Sequence, residues 1–135
     1  MIQSTQEVVQ AFLSLTAHGA PVEQIGALFS DDVDFFVAGD LATVPWIGRK
    51  YGQAGAADFY RQIREKIISE TFDIADVVVQ GRRAIILGAL ESRVRQTDKL
   101  ITSEFAFDLL VEEGKITRFR MFEDSFAVAQ AVART

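Results

Sequence analysis

The 135-residue sequence contains no cysteine and a single histidine, His18. The first absence excludes disulfides, thiolate metal ligands and a cysteine nucleophile, and the second leaves no histidine cluster to hold a catalytic metal. A long apolar run is also missing: such stretches are only strand-sized, and the N-terminal "MIQSTQEVVQAF" has no basic start leading into an apolar segment. The expectation is a cytoplasmic protein with no membrane partner. Nor is there a stripe of positive charge. The formal net charge is -5, and Arg82, Arg83, Arg93, Arg95, Arg118 and Arg120 alternate with Asp and Glu. Phosphate contacts would be few, so nucleic acid is not an expected partner. Nothing repeats and no linker divides the sequence, so residues 1–135 are read as one domain. Gly48, Gly52 and Gly55 lack the preceding parallel strand and Lys-Ser/Thr pair of a phosphate loop.

What is present is apolar surface. Nearly half the residues are hydrophobic, and a chain of this length buries roughly two thirds of its unfolded surface. That suffices for a core with room for a cavity. Ser4 and Glu7 stand in capping-box spacing before Val8, Val9, Phe12 and Leu13, predicting a first helix that stops at Gly19. Pro21 opens a second helix along Val22, Ile25, Leu28 and Phe29, ended by Ser30 to Asp32. Val33 to Val37 read as a strand, Ala38 to Gly52 as a long loop carrying Trp46, and Ala56, Phe59, Tyr60, Ile63 and Ile67 as one face of a third helix. From Phe72 onward, β-branched and aromatic runs alternate with turns at Gln80-Gly81, Thr97-Asp98 and Glu113-Gly114. This predicts a four-stranded antiparallel meander, with a short closing helix from Ser125. Helices first and a curved sheet afterwards give an α+β fold with helices on one sheet face, leaving the other to solvent or a second subunit.

Charge sets the register of the last hairpin. A three-residue loop at Glu112, Glu113 and Gly114 places Asp108 opposite Arg118, Phe107 opposite Phe119 and Phe105 opposite Met121. A two-residue loop would set Asp108 against Phe119 and mix the two faces, so the first register is preferred. The inward wall is then Phe105, Phe107, Leu109, Phe119 and Met121. Counting on by twos, Glu123 faces inward and Asp124 outward. Asp124 suits a helix N-cap. Glu123, shielded among Phe and Met, would hold its proton toward neutral pH and serve as an acid or base; at a wet strand end it would be a rim salt bridge instead.

Other candidates carry two readings each. Arg93, two residues from Glu91, either faces inward as a polarising group or joins an outer-face salt lattice. Trp46 is a ligand contact or the plug of a closed core. Tyr60 offers a hydroxyl or packs on its helix face. His18 fits a solvent-exposed partner for the end of helix one.

The segments "FSDDVDFF", "VPWIGRKYGQAGAADFYRQI" and "DKLITSEFAFDLLVEEGKITRFRMFEDSFAVAQAV", in this order and spacing, resemble the SnoaL-like branch of the nuclear transport factor 2-like superfamily, which includes ketosteroid isomerase and limonene epoxide hydrolase. The resemblance implies a cone-shaped barrel of N-terminal helices packed on a strongly curved, mainly antiparallel sheet. It also implies a deep pocket and a homodimer through the outer sheet face. The catalytic residues of those enzymes do not carry over. The isomerase's first-helix tyrosine falls on Phe12, its proton-shuttling aspartate near Phe36 or Val37, and its second aspartate near Ala106. The hydrolase's last-strand aspartate falls on Met121, and a histidine common in related sequences falls on Phe107.

The leading expectation is a protein that binds a small, mainly apolar, cyclic and oxygenated molecule and catalyses proton transfer, cyclisation, isomerisation or water addition on it. Glu123 is the candidate acid/base and Arg93 the candidate polarising group. Phe12, Phe36, Trp46, Tyr60, Phe105, Phe107, Phe119 and Met121 are the candidate ligand contacts. No cofactor is called for. Two alternatives stay open: a non-catalytic carrier or sensor with the same pocket, and a structural dimer module with a closed core.

Overall fold

A computed structural model describes residues 2–134. Helix α1, Thr5–Ala17, begins at a complete capping box. Ser4 Oγ accepts the Glu7 N–H at 3.2 Å while Glu7 Oε1 accepts the Ser4 N–H at 2.8 Å, satisfying two amides that the helix leaves free. The helix buries Val8, Val9 and Phe12. Helix α2, Val22–Gly26, is only five residues long. It ends before Leu28 and Phe29 because the sheet claims Phe29, which pairs with Ile116, and the Leu28 carbonyl accepts the Ile116 N–H. Strand β1 therefore runs Phe29–Val37, four residues longer at its start than the sequence predicts.

After the loop, a three-residue strand β2, Gly48–Lys50, pairs with the end of β1. Helix α3, Gly52–Lys66, buries Ala56, Phe59 and Tyr60. It passes without a connecting loop into β3, Ile67–Gln80, so Ile67 is the first residue of a strand rather than the last of the helical face. Strands β4 (Arg83–Val94), β5 (Leu100–Glu112) and β6 (Lys115–Glu123) complete the meander, and α4, Ser125–Val132, follows. The sheet order is β2-β1-β6-β5-β4-β3, with β1 parallel to β6 and every other pair antiparallel. It curls without closing. Helix α1 packs on β4 and β5, α3 on α2 and β1, and α4 on β5. This is the expected α+β architecture, helices on one face of a curved sheet. Among the described residues no helix is long and apolar enough to cross a membrane.

The last hairpin corrects the predicted register. Its loop has two residues, Glu113 and Gly114, both at positive φ (50° and 77°), between the paired Glu112 and Lys115. A bulge then inserts Thr117 into β6, between the pairs Val111–Ile116 and Leu110–Arg118. The loop alone would have put Asp108 opposite Phe119; the extra residue moves the register on by one and restores the alternation. The result is shifted by two from the expectation: Phe107 faces Met121, Leu109 faces Phe119, and Phe105 faces Glu123. A shift of two leaves every side chain on its predicted face.

Candidate functional site

Cross-strand partners share a face, so the register fixes the inner wall. Phe105, Phe107, Leu109 and Phe119 are buried on the helix-facing side, with Met121 partly buried beside them and Glu123 at the end of the row. Two devices position this end. Asp124 caps α4, its Oδ1 accepting the Ala127 N–H at 3.0 Å. The buried Ser103 hydroxyl accepts the Asp124 N–H at 2.9 Å, which ties the β6–α4 junction to β5. The two adjacent carboxylates thus have separate roles: one terminates a strand and starts a helix, the other looks inward.

Glu123 is half-buried, and no described residue donates a hydrogen bond or a positive charge to it. Burial, reinforced by the neighbouring Asp124 carboxylate, pushes its pKa up to about 7 from the usual 4.5. A carboxyl so placed exists in both protonation states near neutral pH, which is what a group that both gives and takes a proton requires.

The wall around it contains residues that the sequence did not single out. The Phe105 ring stacks on Phe72 from β3 with centroids 4.7 Å apart, and it lies directly over Gly88 of β4. A Cβ at position 88 would come within 2.6 Å of that ring and 2.2 Å of the Asp73 carbonyl. A lone glycine inside a strand pattern was the legible signal of this close approach. Ser92 and Ser103 are buried polar residues on the same inner face; small hydroxyl residues within apolar runs carry little warning of such a position.

Deeper in, rings fill the space. Phe12 meets Phe29, Tyr60, Phe107 and Phe119 at centroid distances of 5.6–6.4 Å, mostly edge to face. Phe35 stacks on Phe119 at 4.3 Å and 12°. The structure therefore brings Phe12, Tyr60, Phe105, Phe107 and Phe119 into one cluster, with Met121 and Glu123 at its edge. Tyr60 is nine-tenths buried and its hydroxyl has no partner among the described residues; desolvation drives its pKa far above the ordinary phenol value, so it remains a neutral donor.

Three candidates lie elsewhere. Phe36 is on the opposite sheet face, between the guanidinium groups of Arg49 and Arg120 at 5.2 and 5.8 Å from its ring centre. Alternation along β1 turns its neighbour Phe35 inward instead. Arg93 is also on the outer face, because the inward residues of β4 are the even-numbered ones from Ala84 to Val94. Its Nε donates to Glu70 at 2.7 Å and its Nη1 to the Asp98 carbonyl at 2.8 Å, so it belongs to the salt lattice and polarises nothing at Glu123. Trp46 is buried and lines a cleft of about 570 Å³ with Thr43, Pro45, Lys66, Val94 and Arg95. No described group of three or more His, Cys, Asp or Glu side chains is arranged to hold a metal ion.

Residues 9–119 match the family described as SnoaL-like domain. No curated protein matches the chain. Solved structures share the fold across nearly its whole length. An NTF2-like protein from Burkholderia xenovorans LB400 has a TM-score of 0.85 at 22% identity, covering 98% of both chains. TerC, co-crystallised with polyporic acid, has a TM-score of 0.78 at 19% identity over 95% of this chain and 97% of its own. A protein from Catenulispora acidiphila DSM 44928 with a ketosteroid isomerase-like fold, in complex with trimethylamine, has a TM-score of 0.74 at 14% identity over 93% and 92%. At these identities the likeness establishes the fold.

Proposed function

The chain belongs to the SnoaL-like domain family, and from that premise we propose that it binds a small, mainly apolar molecule at the Glu123 end of the inner wall and moves a proton on it. The observation that carries this reading is Glu123 itself: an inward carboxyl beside Phe105 and Met121, unpartnered among the described residues, with its pKa raised to about 7. Phe105 and Met121 supply apolar contact, and Glu123 is both acid and base in a proton shuttle that begins and ends with the same protonation state. Arg93 and Phe36 have no part in it. A titratable group whose pKa is strongly raised by burial is a frequent mark of a binding or catalytic centre. Fold neighbours bound to polyporic acid and to trimethylamine are consistent with small-molecule binding. The reading includes two copies paired through the outer sheet face, where Val78, Leu87 and Phe122 are exposed.

Native mass spectrometry of freshly purified protein, followed by turnover assays on whatever molecule is retained, tests the proposal. The expected result is a retained apolar ligand, converted by the wild type and bound but unconverted by Glu123→Gln. Unchanged turnover by that variant would remove Glu123 from the mechanism.

The packing of Phe12 against four other rings favours a second reading, a closed core whose value is structural. It predicts that no small molecule is retained and that apolar probes such as 8-anilinonaphthalene-1-sulfonate leave the Phe105 and Met121 resonances unmoved.

A further inference from the structure

Where α3 runs into β3, the β3–β4 ladder ends at the pair Ile67–Val94, and the Arg95 N–H donates to the Lys66 carbonyl at 2.9 Å. Two cationic residues are thereby held side by side. The turn that follows is fastened to α4: Thr97 Oγ1 donates to the Ala131 carbonyl at 2.6 Å and Lys99 Nζ to the Ala133 carbonyl at 2.7 Å. The end of α4 is thus laid beside the same two residues, and the β1–β2 loop brings up Pro45 and Trp46. These pieces of chain border the cleft of about 570 Å³ described above, a size within the range of about 300–1,000 Å³ usual for small-molecule sites. Glu123, Phe105 and Met121 are not part of its lining.

The chemistry of the cleft is lopsided. Pro45, Trp46, Val94 and Val132 give it an apolar floor, while Lys66, Arg95 and Arg134 bring three formal positive charges, none with an ion-pair partner among the described residues. They gather in a chain whose net charge is -5. The one carboxylate of the lining, Glu65, is engaged by Arg61 Nη1 at 3.1 Å. The C-terminal ends of α3 and α4 also lie here; each contributes up to about half a negative elementary charge, which three cations exceed. Trp46 adds a neutral donor. It is 4% exposed and lines the cleft, and its indole N–H has no hydrogen-bond partner among the described residues, so a ligand can satisfy what the fold does not. We propose that this cleft binds an amphipathic monocarboxylate, with its hydrocarbon part against Trp46, Val94 and Val132 and its carboxylate between Lys66 and Arg95. The guanidinium fork matches a carboxylate in shape as well as charge, and the bound anion relieves the repulsion between the two adjacent cations. A neutral molecule of the same shape gains only the apolar contact. The site is separate from the Glu123 end of the inner wall and does not depend on proton transfer there.

Trp46 is the chain's one tryptophan, so its indole N–H resonance reports on this cleft. Octanoate is the probe, titrated against octanamide as a neutral match in size. Octanoate is expected to shift the indole resonance and to bind about tenfold more tightly than octanamide at low salt, the margin that one charge-assisted contact supplies. Added salt should narrow that margin. Lys66→Gln and Arg95→Gln should each remove most of it while leaving the octanamide affinity unchanged, which also shows that both variants are folded. Glu123→Gln should bind octanoate as the wild type does, so a failure of the proton-transfer reading and a failure here are told apart. Equal affinity for octanoate and octanamide, a margin that survives combining Lys66→Gln with Arg95→Gln, or an indole resonance unmoved by millimolar octanoate would each overturn the proposal.

Discussion

At the scale of single residues, Glu123 and Asp34 make opposite predictions about pH. The folded pKa of Glu123, about 7, lies above the value near 4.5 of an unperturbed carboxyl, so between those limits the folded chain holds a proton that the unfolded chain releases. The stability contributed by Glu123 is therefore fully present below about pH 4.5 and is lost as pH rises through 7; the raised pKa corresponds to a loss of up to about 3 kcal/mol at pH 8. Glu123→Gln should raise the urea midpoint at pH 8, leave it unchanged near pH 4.5, and flatten the profile between. A wild-type midpoint that does not move from pH 5 to pH 8 would count against the raised pKa. Asp34 is displaced the other way, to about 2, by hydrogen bonds from Arg120 and Arg49. Its contribution is present above about pH 3.8 and lost as pH falls through 2. Its side chain is nearly half exposed, and such pairs contribute about 0–1 kcal/mol. Asp34→Asn should lower stability by no more than that at pH 7, with the difference gone near pH 2.

At the scale of elements, the end of the inner wall depends on how closely β4 lets a ring approach. Gly88→Ala sets a methyl group against the Phe105 ring and the Asp73 carbonyl, and overpacking of this kind costs about 1–3 kcal/mol or more. Guanidinium denaturation should show that loss, and the near-ultraviolet signal of the Phe72–Phe105 stack should change with it; a variant as stable as the wild type would mean that Phe105 does not rest on β4. Much of this level was legible in the sequence. The capping box of Ser4 and Glu7 and the N-cap at Asp124 are local chemistry, readable without any tertiary knowledge. The faces of β5 and β6 came through although the register was off by two, because alternation has a period of two and an even slip preserves it. What stayed hidden depends on distant partners. Phe29 looks helical until Ile116 is placed beside it, the bulge at Thr117 exists only against β5, and β2 is too short to signal itself. Phe36 was named where Phe35 faces inward, since a resemblance places a position only to within a residue or so and one residue is a whole face in a strand.

At the scale of the whole molecule, a curled sheet offers two surfaces with different chemistry. The inner one is packed with rings from α1, α3 and four strands, and its only described carboxylate with a strongly raised pKa stands at the rim of that packing. The outer one holds the ion pairs, Arg93 among them, and an exposed apolar band. The two surfaces follow from the same alternation along β4, β5 and β6. The account turns on Glu123 being shielded enough to hold its proton near neutrality. Carbon-detected NMR of the side-chain carboxyl, comparing wild type with Glu123→Gln to assign it, measures this directly: the predicted midpoint is near pH 7, and a midpoint near 4.5 would contradict it.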